Sequence, residues 1–176
     1  TIVNHIRTGP DSQSVYIGFE AGESIPEGTP NNTAVGYRAL RKNIQGSENT
    51  AIGWMTLANS FDSWYNTAVG YSVFPYLKNP ANTYNTGMGT NIAISTNFTG
   101  SSNVLIGNNV LRDATTATAN VGLGYNALRN TTTGGYNTAL GSNALLSNTT
   151  GSHNVSIGQY ASYGMTSGGQ NRSFRG

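Results

Sequence analysis

The chain has 176 residues, a length that fits one ordinary domain. Only 9% of them are charged, against about 25% in a typical soluble protein. Lys and Arg total 9 and Asp and Glu total 7, leaving a formal net charge of +2 with no basic cluster, so a nucleic-acid role is not expected. Cysteine is absent, which removes disulfides and thiolate metal sites. No apolar run approaches the roughly 20 residues needed to cross a bilayer, so no membrane insertion is expected. The chain opens at Thr1-Ile2-Val3 without a signal-like segment, and is expected to be an internal fragment or a processed product.

In chain order, residues 1–13 are read as a preceding partial coil or an N-terminal cap. From Ser14 onward the sequence repeats itself. Ser14-Val15-Tyr16-Ile17-Gly18 is followed by Asn32-Thr33-Ala34-Val35-Gly36, Asn49-Thr50-Ala51-Ile52-Gly53 and Asn66-Thr67-Ala68-Val69-Gly70. Asn85-Thr86-Gly87-Met88-Gly89 and Asn103-Val104-Leu105-Ile106-Gly107 come next. Asn120-Val121-Gly122-Leu123-Gly124, Asn137-Thr138-Ala139-Leu140-Gly141 and Asn154-Val155-Ser156-Ile157-Gly158 complete the series. Successive copies start 17 residues apart in most steps, 18 in two and 19 in one. Residues 14–170 are therefore read as a solenoid domain of about nine coils, and residues 171–176 as the start of a further coil or a C-terminal cap.

Repeat position 2 is Thr or Val and position 4 is Val, Ile, Leu or Met, alternating with small residues at position 3. That is the period-two pattern of a short strand with one buried face. A second apolar step at positions 8 and 9, as in Ala39-Leu40, Val73-Phe74 and Ala144-Leu145, predicts a second short strand. Gly- and Asn-rich turns would complete each coil. No segment keeps a 3.6-residue period, so helix is not expected. Gly36, Gly53, Gly70, Gly89, Gly107, Gly124, Gly141 and Gly158 mark a bend that needs positive φ or close backbone approach. Asn32, Asn49, Asn66, Asn85, Asn103, Asn120, Asn137 and Asn154 would stack as an amide ladder, with a threonine column of Thr33, Thr50 and Thr67 beside it. Coils rising by about 4.8 Å give a rod roughly 40 Å long. Each coil has few large apolar residues, so several chains packed around a three-fold axis are expected to widen the core.

Ser14-Val15-Tyr16-Ile17-Gly18-Phe19-Glu20-Ala21 and Asn154-Val155-Ser156-Ile157-Gly158-Gln159-Tyr160-Ala161 resemble the head repeats of trimeric autotransporter, YadA-like adhesins. The longer form from Asn137 through Gly151 is similar to repeats of bacteriophage tail fibres. The resemblance covers residues from about 14 to 170, and it departs from the adhesin pattern in its 17-residue repeats, with no anchor barrel or heptad stalk expected within these 176 residues. It implies a left-handed parallel β-roll, a homotrimer, and an extracellular place on a virion or a bacterial surface. The expected function is host-surface attachment through glycans by a tail fibre. The alternatives are an adhesin head or a polysaccharide-degrading tailspike.

Candidate chemistry is sparse. Aromatic residues recur at position 6, as Phe19, Tyr37, Trp54, Tyr71 and Tyr125, and in the turns between residues 54 and 84, as Phe61, Trp64, Tyr65, Tyr76 and Tyr84. Trp54, Trp64, Tyr65, Tyr71, Tyr76 and Tyr84 are the candidate glycan ligands, since flat rings beside Asn and Ser suit sugars. The competing reading is that position 6 packs between chains or caps the core edge. Glu20, Glu23, Glu27, Glu48, Asp62 and Asp113 form no recurring pair of the kind that cleaves glycosides. His5 and His153 are isolated and lie in no metal-site or triad spacing. No enzyme activity, cofactor or metal is expected. Hexapeptide acyltransferases repeat their apolar-Gly step three times per coil, whereas it occurs once here. Ice-binding solenoids need a T-x-T array, whereas this strand offers one Thr and replaces it by Val in four repeats.

Overall fold

The computed structural model describes residues 6–7, 13–25, 31–77 and 82–174. They form one 11-stranded sheet whose strands follow one another in sequence order, with no helix among the described residues. The strands are β1 (Ile6–Arg7), β2 (Val15–Ile17), β3 (Thr33–Val35), β4 (Thr50–Trp54), β5 (Thr67–Val73) and β6 (Thr86–Ile92). They continue as β7 (Val104–Asn108), β8 (Val121–Tyr125), β9 (Thr138–Leu140), β10 (Val155–Ile157) and β11 (Arg172–Phe174). From β2 onward every neighbouring pair is parallel, one strand per repeat. The chain is an all-β solenoid of about nine coils. At its N-terminal end β1 pairs antiparallel with β2, with Ile6 opposite Ile17, which covers the first strand's open edge.

Register follows the repeat without slippage. Thr33, Thr50, Thr67 and Thr86 form one column, and Gly53, Gly70, Gly89, Gly107 and Gly124 another. The glycine column meets both conditions that select the residue. Its φ values run from 113° at Gly158 to 139° at Gly107. A Cβ at Gly53 would also overlap the carbonyl oxygen of Gly70 in the next coil.

The strand's buried side is the small one. Ala34, Ala51, Ala68, Leu105 and Ala139 at position 3 are fully buried. Positions 2 and 4, which carry the larger residues, face outward: Ile52, Val104, Ile106, Val121 and Leu123 are all exposed. Alternation is present, but its polarity is opposite to that of an ordinary half-buried strand, where bulk goes inward.

The second apolar step is not a second strand in most coils. Ala39-Leu40, Ala127-Leu128 and Ala144-Leu145 lie in turns, and both residues of each pair are buried. An extended backbone would send consecutive side chains to opposite faces. Positive φ at position 9 permits the departure: 50° at Leu40, 56° at Leu128 and 53° at Leu145. Position 7 and the last position of each coil behave alike, as at Arg38 (55°), Asn143 (58°), Glu48 (59°) and Tyr136 (57°). No valine, isoleucine or threonine stands among the described non-glycine residues with positive φ, as the steric cost to β-branched side chains requires.

The asparagines lie inside the coil. Oδ1 of Asn49 accepts the backbone N–H of Asn66 at 3.0 Å and the Nδ2 of Asn66 at 3.2 Å. Nδ2 of Asn49 reaches across its own coil to donate to the carbonyl of Ser63 at 2.7 Å. The same pattern runs from Asn32 to Asn154, whose cross-coil bonds end on Gly46, Asn82, Gly100, Ala117, Gly134, Gly151 and Gly168 in the other coils. It extends beyond the eight predicted residues at both ends. Ser14 Oγ accepts the N–H of Asn32 at 2.9 Å, and Asn171 donates to Asn154 at 3.1 Å.

Candidate functional site

The outward face of the sheet is built by the repeat and runs along successive coils. Two columns run its length: Val15, Thr33, Thr50, Thr67, Thr86, Val104 and their successors at position 2, and the branched or long apolar residues at position 4. Exposure at position 4 is 39% at Ile52, 51% at Met88 and 48% at Leu123. No ionisable side chain interrupts either column between Val15 and Ile157.

Aromatic columns flank this face. On one side, at position 6, Phe19, Tyr37, Trp54 and Tyr71 stack in order. Centroid separations are 5.6, 5.8 and 4.5 Å and interplanar angles 7°, 14° and 4°. The parallel register sets this stack, because it places Trp54 opposite Tyr71. On the other side, at the last position of the repeat, Tyr65 stacks on Tyr84 at 5.0 Å and Tyr136 on His153 at 4.9 Å. Four of the predicted ligand residues thus fall into two columns, Trp54 with Tyr71 and Tyr65 with Tyr84. Trp64 and Tyr76 are half-buried outside them. Within a stack the ring faces are occupied by neighbouring rings, so only edges meet solvent. The open faces are those at the ends of each stack, a distinction the recurrence of aromatic residues alone does not make.

Charge gathers at the N-terminal coils. Arg38 Nε lies 2.6 Å from Glu20, and Arg41 Nε lies 2.9 Å from Glu20 and 2.7 Å from Glu23. Arg38 also sits over the ring of Tyr37, 4.9 Å from its centroid. The hydrogen bond to Glu20 raises the Arg38 pKa further above its ordinary high value. Glu20 and Glu23 are therefore tied to guanidinium groups and are not poised as an acid–base pair. Glu27 and His5 lie outside the described residues. Among the described residues, no three His, Asp or Glu side chains gather into a metal-sized cluster. An open polar depression lined by Thr150, Ser152, His153 and Gln170 has no carboxylate in its lining. No helix of the described residues is long and apolar enough to cross a membrane.

Comparison with family models, curated proteins and solved structures found no match for the chain.

Proposed function

We propose that the chain is a structural and adhesive segment of an extracellular fibre, a homotrimer of left-handed β-rolls carried on a virion as part of a tail fibre, which attaches to glycans of a host surface. The observation that carries this reading is the outward face of positions 2 and 4, uncharged throughout, with an apolar residue at position 4 of every coil and Thr or Val at position 2. Soluble monomers rarely expose contiguous apolar surface beyond a few hundred Å², and this face spans the sheet from Val15 to Ile157. The coil interior is already filled, by Phe74, Phe98, Ile92 and a leucine in most coils together with Ala and Asn, so the position 4 side chains outside it are surplus to that core and are available to a neighbouring chain. Three copies turned about a common axis would bury their faces against one another and convert three narrow cores into one wide one. A flat face repeated at every coil suits an assembly of any length, which is what a fibre needs.

The role is binding and not turnover. The tailspike alternative draws no support from the carboxylates: Glu20 and Glu23 are held by arginines, and Glu48, Asp62 and Asp113 belong to separate turns. The attachment reading is tested by applying the fluorescently labelled chain to an array of bacterial surface glycans. Binding to a restricted set of oligosaccharides is expected. An array without any binding would contradict attachment and leave a spacer.

A further inference from the structure

Both aromatic columns lack a ring in the two coils that start at Asn85 and Asn103, and position 6 lacks one again at Ser142 and Gln159. At position 6 the register runs Tyr71, Thr90, Asn108, Tyr125. At the last position the order is Tyr84, Ser102, Ala119, Tyr136, each coil's backbone N–H bonding to the preceding one. The position 6 break is the more informative. Trp54 covers one face of Tyr71 at 4.5 Å, while the residue opposite on the other side is Thr90, which has no ring to offer. Tyr125 has no ring contact among the described residues and is 55% exposed. Between the two tyrosines lie a hydroxyl and a primary amide. The side chains of Thr90 and Asn108 make no hydrogen bond within the described residues, whereas the next position is committed to a ladder, Asn109 Nδ2 donating to Asn126 at 3.2 Å and Asn126 Nδ2 to Asn143 at 3.2 Å.

We infer that this notch, with Tyr71 and Tyr125 at its ends and Thr90 and Asn108 as its floor, is a saccharide subsite that takes two adjacent sugar rings of an oligosaccharide. The inference rests on the glycan-attachment reading and gives it a place. Three coil steps of about 4.8 Å separate the tyrosines by roughly 14 Å. Subtracting about 3.5 Å of van der Waals contact at each end leaves about 7 Å for ligand atoms. That is too wide for one ring sandwiched flat between both tyrosines and suits two linked rings, one stacked at each end. Hydroxyls along the glycan edge then meet the Thr90 hydroxyl, which donates and accepts, and the Asn108 amide, which does both through separate atoms. Uncharged donors and acceptors beside aromatic faces favour a neutral sugar pair over a phosphorylated or basic ligand.

The test uses position 6 itself, since tyrosine is already tolerated there in neighbouring coils. Asn108→Tyr fills the notch with a residue the fold accepts. Tyr71→Ala removes one wall, and Phe19→Ala, at the far end of the stack, is the control. Circular dichroism and native mass identify variants that keep the wild-type fold and assembly. Each is titrated with the oligosaccharides that bind wild type on the array and with their one- and two-ring fragments. The expected result is at least about a tenfold loss of affinity for Asn108→Tyr and Tyr71→Ala, none for Phe19→Ala, and a steep gain from one ring to two. Unchanged binding by a folded Asn108→Tyr would overturn the notch while leaving attachment in place. A wild-type chain that binds no glycan would overturn both.

Discussion

At the head of each coil one asparagine accepts from two groups of the next coil and donates across its own, so it ties the stack together in two directions. At Asn103 the acceptor side serves the N–H and Nδ2 of Asn120, and the donor side reaches Ala117 at 3.0 Å. Asn103→Ala leaves the Asn120 N–H and the Ala117 carbonyl buried without partners. At about 1–3 kcal/mol for each orphan, a loss near 3 kcal/mol is expected in denaturant unfolding. Asn103→Ser should cost less, because a hydroxyl can still accept the next N–H, as Ser14 does for Asn32. The left-handed residues make a second, sharper prediction. Leu128 is fully buried with φ of 56°. Leu128→Ile preserves composition and volume yet should destabilise by about 1–2 kcal/mol more than Leu128→Met, from the backbone term alone. Equal melting temperatures for the two variants would contradict that assignment. The asparagine recurrence was legible in the sequence, because only a ladder needs one amide per period. The left-handed positions were legible only as an absence, three repeat positions that never hold Val, Ile or Thr.

Each strand packs its small side inward because the coil is thin and the opposite wall is close. Column 3 shows the fit: Leu105, the one large residue there in the central coils, is flanked by Gly87 and Gly122. A Cβ on Gly122 would come within 2.6 Å of Val110 Cγ1, and one on Gly87 within 2.6 Å of Phe74 and Val73. Period-two alternation could be read from sequence, but alternation alone does not say which phase is inside, and the answer depends on coil thickness. Nor does an apolar pair such as Ala39-Leu40 say strand or turn, since both bury carbon. Coil 49–65 is the least satisfied element. Thr56, Ser60 and Ser63 are fully buried, and their hydroxyls have no hydrogen-bond partner among the described residues. Val73 and Val110 occupy the position of Thr56 in other coils, so Thr56→Val is near-isosteric and removes an unpaired hydroxyl. A stability gain of about 1 kcal/mol is expected in thermal or urea unfolding. A loss would mean that the hydroxyl is satisfied.

For the whole molecule, the decisive property is a solenoid that carries a column of large apolar strand residues on its surface in addition to a filled interior. Phe74, Phe98, Ile92 and Leu111 are buried between the coil walls, while Ile52, Ile106 and Leu123 line a surface. Repeat spacing made the solenoid legible, and the shortage of bulk per coil pointed to several chains. The surface through which those chains would meet required coordinates, because it depends on which way position 4 faces. Substituting one outward residue should separate association from folding. Ile106→Glu places a charge on the face without touching the interior, so it should keep the strand spectrum of the wild type while weakening assembly. Three glutamates brought together near an axis would repel and lose hydration. The most direct measurement is the mass of the wild-type chain in solution by native mass spectrometry or light scattering. The fibre reading predicts three chains of 18.5 kDa in one particle, and a folded particle of one chain would contradict it.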